Sequence, residues 1–190
     1  MDFPINIKHI KIKTDRLLLR TWNKRDLKDF FEYASEPGVG ELAGWPAHTN
    51  KRQTKRILNA FIEYRDVFAI YHVADKKVIG SIGLHDAWQN NHQEYKHLRN
   101  KNIGYVLAKP YWGSGIMVEA VNAVIDYGFL NLGVDSFGIE HFNHNTQSQR
   151  VIEKLGFTFV KNGRFHADEL GETFDEKRYV LTRQQWRMFQ

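Results

Sequence analysis

The stretch from Ile103 to Ile116, IGYVLAKPYWGSGI, decides how the rest of the chain is interpreted. Its first half is apolar, and its second half carries two glycines just before a long apolar pattern with helical spacing. A strand that feeds a glycine loop at the start of a helix holds phosphate well, because free backbone N–H groups and the helix dipole both attract the anion. Glycine also lets the backbone approach the phosphate oxygens without an intervening Cβ. The stretch therefore predicts a phosphate cradle formed by the backbone of Gly113, Ser114, Gly115 and Ile116.

Two familiar nucleotide-binding motifs do not fit this loop. A dinucleotide-binding fingerprint needs a third glycine and an acidic residue after the next strand, and neither is correctly placed. A Walker loop needs Gly-Lys followed by Ser or Thr, which the loop lacks. The pattern alone predicts phosphate binding without choosing the ligand.

Outward from the loop, the sequence predicts alternating strands and helices. Before the loop we expect an opening strand over Ile12–Thr21 and two helices, capped by Asn23 and by Asn50 or Thr49. A hairpin of the strands Phe68–Ala74 and Lys77–Leu84 follows, and then a long polar loop over Asp86–Asn102. From Ile103–Ala108 onward we expect a strand, the helix after the glycines, a further strand, a short helix that begins at Asn145, and two closing strands, the last three strands being Ser136–His141, Phe157–Lys161 and Lys177–Leu181. This order predicts an α/β domain with a mixed sheet.

The composition excludes several classes of protein. A chain of 190 residues with 42% hydrophobic and 26% charged residues has the size and balance of one globular domain, which we place at 1–190. It has no cysteine, so it has neither disulfides nor a cysteine nucleophile. The net charge of +5 is scattered, which argues against nucleic acid as a partner. The nine histidines lack zinc-ligand spacing, so no metal is expected. No apolar run is long enough to cross a bilayer, and we expect a cytoplasmic protein.

Four segments together resemble one known family. They are TDRLLLR, EPGVGELAGWPAH, IGYVLAKPYWGSGIMVEAV and NHNTQSQRVIEKLGF, and in this order they are similar to the GNAT superfamily of N-acetyltransferases, in particular its RimJ/RimL-like branch. The resemblance implies a single mixed, mostly antiparallel sheet with splayed strands and flanking helices. It also implies acetyl-CoA as co-substrate and a primary amine as acceptor, either a protein N-terminal α-amine or a small-molecule amine.

The resemblance also implies roles for individual residues. The strand residues Tyr105, Val106 and Leu107 would pair with the pantetheine arm, and the backbone of Gly113, Ser114, Gly115 and Ile116 would receive the pyrophosphate. Asn145 would hydrogen-bond the pantetheine region, and Ser148 would protonate the leaving thiolate. The Val106 N–H would stabilise the oxyanion. The loop departs from the family pattern at Pro110, where Gln or Arg is usual, and this removes one supporting contact.

The general base and several alternatives stay open at this point. The family often places Glu just before the Ile-Gly-Tyr strand, where this chain has Asn102, so His85, Asp86 and Glu41 are the candidate bases. Asn145 has a second interpretation as a simple helix cap. The alternative function is a module that binds acetyl-CoA without turnover. The chain is expected to be a monomer or a homodimer, with the Asp86–Asn102 loop or the Trp186–Phe189 tail as the dimer contact.

Overall fold

The computed structural model describes residues 3–188, which form one eight-stranded sheet with helices on both faces. The strands occur in the spatial order β1-β2-β3-β4-β5-β6-β8-β7. Their bounds are β1 Lys11–Lys13, β2 Leu17–Arg20, β3 Val67–His72, β4 Lys77–His85, β5 Asn100–Leu107, β6 Ser136–Phe142, β7 Thr158–Ala167 and β8 Glu172–Thr182.

Five α-helices accompany the sheet, and three of the predicted caps are confirmed. The helices are α1 Leu27–Ala34, α2 Lys51–Tyr64, α3 Ile116–Asn131, α4 Thr146–Lys154 and α5 Arg183–Met188. Asn50 and Asn145 cap α2 and α4 through their side chains, and Asn23 caps a short 3-10 turn that runs into α1. No helix within residues 3–188 has the length and apolarity needed to span a membrane.

Within residues 3–188, only one pair of neighbouring strands is parallel. Strands β5 and β6 run in the same direction and are joined by α3, whereas every other neighbouring pair is antiparallel. A tight turn reverses the direction of the chain and so joins antiparallel strands, whereas two parallel strands need a crossover such as this helix. The predicted mixed, mostly antiparallel sheet is thus confirmed.

The sheet is covered on both faces, which explains its central apolar strands. In β3, Phe68 and Ile70 join the core beneath α3, whereas Val67 and Ala69 join a second core beneath α1 and α2. Side chains alternate between the faces of a strand, so a strand buried on both sides loses the polar alternation. The first of these cores packs α3 against the sheet, and the start of α3 carries the glycine loop.

The predicted single opening strand, Ile12–Thr21, is wrong in its continuity. It consists of two antiparallel strands, β1 and β2, separated by a tight turn at Thr14. The Thr14 N–H donates to Leu17 O at 3.0 Å, and the Leu17 N–H donates to Thr14 Oγ1 at 3.0 Å. A threonine hydroxyl that accepts from a backbone amide stabilises such a turn. This hydrogen bond replaces one that the amide would make in a continuous strand, so the strand is interrupted here.

The predicted loop Asp86–Asn102 is also too long. Strand β5 already begins at Asn100, and a 3-10 helix occupies Trp88–Asn91. The polar start of β5 is buried because Asn100 donates to Tyr95 O at 2.8 Å and accepts from the Ser136 hydroxyl at 2.5 Å. Side-chain hydrogen bonds, rather than apolar character, hold these residues in the sheet.

The closing strands are about twice as long as predicted. Strands β7 and β8 form a hairpin through Ala167 and Glu172, and much of its outer part is exposed on both faces. A strand that is exposed on both faces lacks the alternation of apolar and polar residues by which a strand is recognised in a sequence. The tail forms α5, where Trp186 packs on Phe129 at 5.3 Å, and Phe189 lies outside the described residues.

Candidate active site

The glycine loop ends in a helix start with free amides. The first intrahelical bond of α3 runs from the Glu119 N–H to Gly115 O at 3.1 Å, so the preceding amides have no partner within the helix. Gly113 and Gly115 have φ values of +72° and +79°, a region that L side chains rarely adopt. Only open space surrounds the position of a Cβ at Gly113, so its backbone angle, rather than a close contact, requires glycine.

An arginine from the β1–β2 turn reaches this loop. The Arg16 Nε donates to Glu119 Oε2 at 2.6 Å, and its Nη1 donates to Ser114 O at 3.0 Å. Its Nη2 lies 3.7 Å from the Cβ position of Gly115. Burial alone would raise the pKa of the Glu119 carboxyl, but hydrogen bonds from Thr14 and Arg16 outweigh it and hold this pKa below its ordinary value. The acid therefore stays charged and orients the guanidinium. The loop therefore gains a cation that the sequence pattern did not reveal.

The parallel pair β5–β6 splits beside the loop. The two strands pair only from Asn100 to Ile103, although β5 continues to Leu107 and β6 to Phe142. Beyond Ile103 the two edges diverge and leave β5 with an unpaired side. Such an edge offers backbone donors and acceptors to an extended ligand that is inserted between the strands.

The register of β5 shows which of its backbone groups face the split. The Ala108 N–H donates to Ile79 O at 2.8 Å, toward β4, whereas Leu107 O accepts from Trp112 Nε1 at 2.7 Å, away from β4. Because backbone groups alternate along a strand, the Val106 N–H faces β4 and those of Tyr105 and Leu107 face the split. The sequence analysis assigned the Val106 N–H to the oxyanion, but this N–H is directed toward β4 and not into the split.

The start of α4 closes one wall of the split. Asn145 accepts from the Ser148 N–H at 3.0 Å, as a helix cap does, and its Nδ2 donates to Leu42 O at 3.2 Å. The Ser148 hydroxyl is buried and lies 2.7 Å from the Tyr105 hydroxyl. Burial raises the pKa of Tyr105, so this phenol keeps its proton, and either hydroxyl can donate in the hydrogen bond between them.

Glu140 is an acid in the wall of the cleft, beside Glu176, and the sequence interpretation missed it. A cleft of about 370 Å³ holds Glu140, Ser148 and Tyr105 in its walls. Burial raises the pKa of Glu140 to about 7, and the neighbouring Glu176 carboxylate raises it as well, whereas the Asn102 amide, donating at 2.7 Å, lowers it. A carboxyl with a pKa near neutrality is suited to accept a proton from an amine.

Two histidines in the same cleft stay neutral. His141 Nδ1 must donate to Phe142 O at 2.9 Å, since a carbonyl only accepts, and its Nε2 then accepts from the Tyr179 hydroxyl at 3.1 Å. Burial lowers the pKa of His141 and of His85, although the His85 side chain is 49% exposed. The His85 ring lies across Gly83, where a Cβ would meet it at 2.1 Å. Neither ring therefore adds a positive charge to the cleft.

The other two candidate bases lie elsewhere. Asp86 is 85% exposed, with its carboxylate 3.7 Å from the Lys101 ammonium, and it does not line the cleft. Glu41 accepts from the Gly38 N–H at 2.7 Å and lines a neighbouring surface depression with Lys109 and Trp112. Within residues 3–188, no group of three or more acidic or histidine side chains is arranged to hold a metal ion.

Comparisons with known proteins agree with this geometry. A family model described as an acetyltransferase (GNAT) domain matches residues 16–158. The uncharacterised N-acetyltransferase YoaA of Bacillus subtilis is 28% identical over 186 residues, which cover 95% of this chain and 98% of the relative. The [ribosomal protein uS5]-alanine N-acetyltransferase of Escherichia coli is 24% identical over 164 residues, 80% of each chain. A GNAT-family acetyltransferase from Bacillus anthracis superposes with a TM-score of 0.76 at 24% identity, covering 91% of this chain and 98% of that one. The chain described here belongs to the GNAT acetyltransferase family, whose members transfer an acetyl group from acetyl-CoA to an amine.

Proposed function

We propose that this acetyltransferase acts on the α-amine of a peptide N-terminus, with Glu140 as the acceptor of the amine proton. The observation that carries the proposal is the half-buried Glu140 carboxyl, whose pKa is raised to about 7, at the point where β5 and β6 separate. A free α-amine has a pKa of roughly 7.7 to 8, whereas a lysine amine has a pKa near 10.4. Proton transfer from an α-ammonium to Glu140 is therefore nearly balanced, and transfer from lysine is not.

Acetyl-CoA is the donor substrate, and the described residues fit it. The free amides after Gly115 and the Arg16 guanidinium would hold the pyrophosphate, and the unpaired edge of β5 would pair with the pantetheine arm. This placement brings the thioester toward Ser148 and the bottom of the split. The fit supports the sequence-based assignment of Gly113, Ser114, Gly115 and Ile116 to the phosphates.

The reaction needs one attack on the thioester, with proton transfers at the amine and at the leaving thiolate. Glu140 takes a proton from the ammonium, and the neutral nitrogen then attacks the thioester carbonyl carbon, whose π electrons move to oxygen. The Tyr105 or Leu107 N–H, both directed into the split, stabilises this oxyanion. Collapse expels the thiolate, which takes the Ser148 hydroxyl proton, and Tyr105 re-supplies Ser148 through their 2.7 Å hydrogen bond. The second amine proton leaves to solvent, and the proton held by Glu140 returns to Tyr105 through solvent, so that both groups regain their starting state. The products are the acetamide, free coenzyme A and one proton.

The charges of the cleft favour an amine without a neighbouring carboxylate. Among the described residues that line it there is no lysine or arginine, and the histidines His85 and His141 are neutral. Glu176 is paired with Arg178, whose Nη2 lies 2.6 Å away, so this cation is shared and compensates Glu140 only in part. A free amino acid would bring a carboxylate with no cation to meet it, and a polyamine would bring further cations with no acid to meet them.

The walls of the cleft are apolar and aromatic. They include Leu42, Trp45, Phe61, Phe142 and Phe165. These side chains suit an uncharged first residue followed by an amide, which is how a peptide N-terminus presents itself. A relative named as a [ribosomal protein uS5]-alanine N-acetyltransferase acts on an alanine of a protein, and this supports the RimJ/RimL-like assignment.

The test is thiol release from acetyl-CoA with a panel of acceptors. The panel contains a hexapeptide with N-terminal alanine, the same peptide with a blocked N-terminus, free alanine, spermidine and kanamycin. We expect turnover with the free peptide and little with the other four. Faster turnover of spermidine or free alanine would overturn the peptide proposal. Calorimetric binding of acetyl-CoA without turnover of any acceptor would favour the binding-module alternative.

A further inference from the structure

The segment between β4 and β5 inserts one polar side chain fully into the protein. Gln89, in the 3-10 helix Trp88–Asn91, is 0% exposed. Neither its amide nitrogen nor its amide oxygen has a hydrogen-bond partner among residues 3–188. A buried amide without partners costs stability, so the surroundings of this group require an explanation.

A glycine in β6 makes room for this amide beside a second one. A Cβ at Gly138 would lie 2.4 Å from both Gln89 amide atoms and 2.6 Å from Asn102 Oδ1. The two amides therefore crowd the same point on β6. Glycine weakens the interior of a strand, and here it is the residue that admits both side chains.

The Asn102 amide is oriented by what it donates to. Its Nδ2 donates to Glu140 Oε2 at 2.7 Å, so its Oδ1 points the other way and has no partner among the described residues. A flip of this amide would turn its oxygen toward the Glu140 carboxylate, and a donor at Oδ1 would oppose that flip further, since a flip exchanges donor and acceptor. The Gln89 amide lies against the same point of β6 as Asn102 Oδ1, and a small side-chain rotation or one bridging water would let its Nε2 donate to that oxygen.

We propose that Gln89 is a positioning residue for acetyl transfer, which donates to Asn102 Oδ1 and so fixes Asn102 as the hydrogen-bond donor to Glu140. This inference rests on the proposed function, in which Glu140 accepts the amine proton. The other charged or titratable groups around Glu140 are Glu176 and Arg178 from β8 and His85 from β4. Replacing Gln89 leaves all three of these groups in place.

The direction of the effect follows from the Asn102 hydrogen bond. A donor to the carboxylate stabilises its charged form and lowers the pKa of Glu140. When Gln89 no longer holds Asn102, part of this stabilisation is lost, and the pKa of Glu140 rises further above its ordinary value. Acetyl transfer then needs a higher pH, because the carboxylate is the form that accepts the proton.

The experiment compares Gln89→Met, which keeps the length but loses the amide, with Gln93→Met, an exposed glutamine in the same segment. The Glu140 carboxyl is titrated by ¹³C NMR, and kcat/KM is measured against pH with acetyl-CoA and the alanine hexapeptide. Gln89→Met should move both midpoints upward by roughly half a pH unit or more, the loss of about one hydrogen bond. Gln93→Met should move neither. Asn102→Ala should move them at least as far, and adding Gln89→Met to it should move them no further.

Unchanged midpoints in Gln89→Met, or a further shift in the double variant, would overturn the positioning role. Should Gln89→Met fail to fold, Gln89→Asn keeps an amide but is too short to reach Asn102, and it must shift the midpoints in the same direction. Failure of the proposed function is a separate result. In that case Glu140→Gln keeps its activity, while the NMR midpoint of Glu140 still reports whether Gln89 acts through Asn102.

Discussion

Replacing Glu140 by glutamine should remove activity and stabilise the protein at the same time. Glutamine keeps the size of the side chain and an acceptor for the Asn102 amide, but it cannot take a proton. A positioned base contributes roughly 100-fold to 10,000-fold in rate. We therefore expect kcat/KM for the alanine hexapeptide at pH 8 to fall by about 100-fold or more, and the acid limb near pH 7 to disappear.

The stability gain follows from the direction of the pKa shift. The pKa of Glu140 is about 7 in the folded protein against an ordinary value of 4.5, so the folded state binds this proton more tightly than the unfolded state. Its stabilising contribution is complete below about pH 4.5 and is lost as the pH rises through 7. The loss above pH 7 is at most about 3 kcal/mol, from the 1.36 kcal/mol that corresponds to one pKa unit. Glutamine stays neutral and avoids it.

Thermal unfolding against pH measures this contribution. At pH 8.5 the Glu140→Gln variant should melt higher by up to about 6 to 12 °C, the shift typical of 3 kcal/mol in a chain of this size. At pH 4.5 the two proteins should melt together. The control is Glu63→Gln, an exposed acid on α2, which should change neither activity nor melting. A Glu140→Gln variant that keeps its acid limb, or that melts lower at pH 8.5, would refute the assignment.

Three further predictions concern the donor side of the site. Ser148→Ala should lower kcat roughly 100-fold with acetyl-CoA affinity unchanged by calorimetry, and a kcat within a factor of three of the parent would exclude Ser148 as the thiolate acid. Gly115→Ala forces an alanine to φ +79° and should weaken acetyl-CoA binding roughly tenfold, and unchanged affinity would separate the loop from phosphate binding. Arg16→Gln should raise the Kd for acetyl-CoA by roughly fivefold at low salt. The control is Arg25→Gln, an exposed residue of the 3-10 turn before α1, which should leave the Kd unchanged. Equal effects of the two substitutions would show that Arg16 has no specific role in binding.

The parts of the site that the sequence predicted are those built by neighbouring residues. The glycine loop is a local feature, because the backbone angles of Gly113 and Gly115 and the start of α3 lie within four residues of one another. The cap of α4 is equally local, since Asn145 bonds the Ser148 N–H three residues later. Spacing along the chain is sufficient to recognise both.

The parts that the sequence missed depend on contacts between distant strands. Glu140 lies in SFGIEHF, an apolar strand in which one acid is the only signal. Its raised pKa comes from burial and from Glu176, which follows it by more than thirty residues. Arg16 reaches Glu119 across about one hundred residues in a similar way. No local pattern encodes such pairs, because the register of the sheet brings them together.

The split between β5 and β6 links the two halves of the site. The last residues that pair across this parallel junction are Ile103 and Ile139. Glu140 is therefore the first residue of β6 without a neighbour on β5, and Gly104 is its counterpart across the split. The divergence that would admit the pantetheine arm also leaves a partly buried acid beside it, hydrogen-bonded by Asn102 from the last paired stretch of β5. One irregularity in the sheet would thus bring the thioester and the proton acceptor to the same point, and this is why we expect changes at Asn102 or Gly138 to alter proton transfer without disturbing the phosphate cradle.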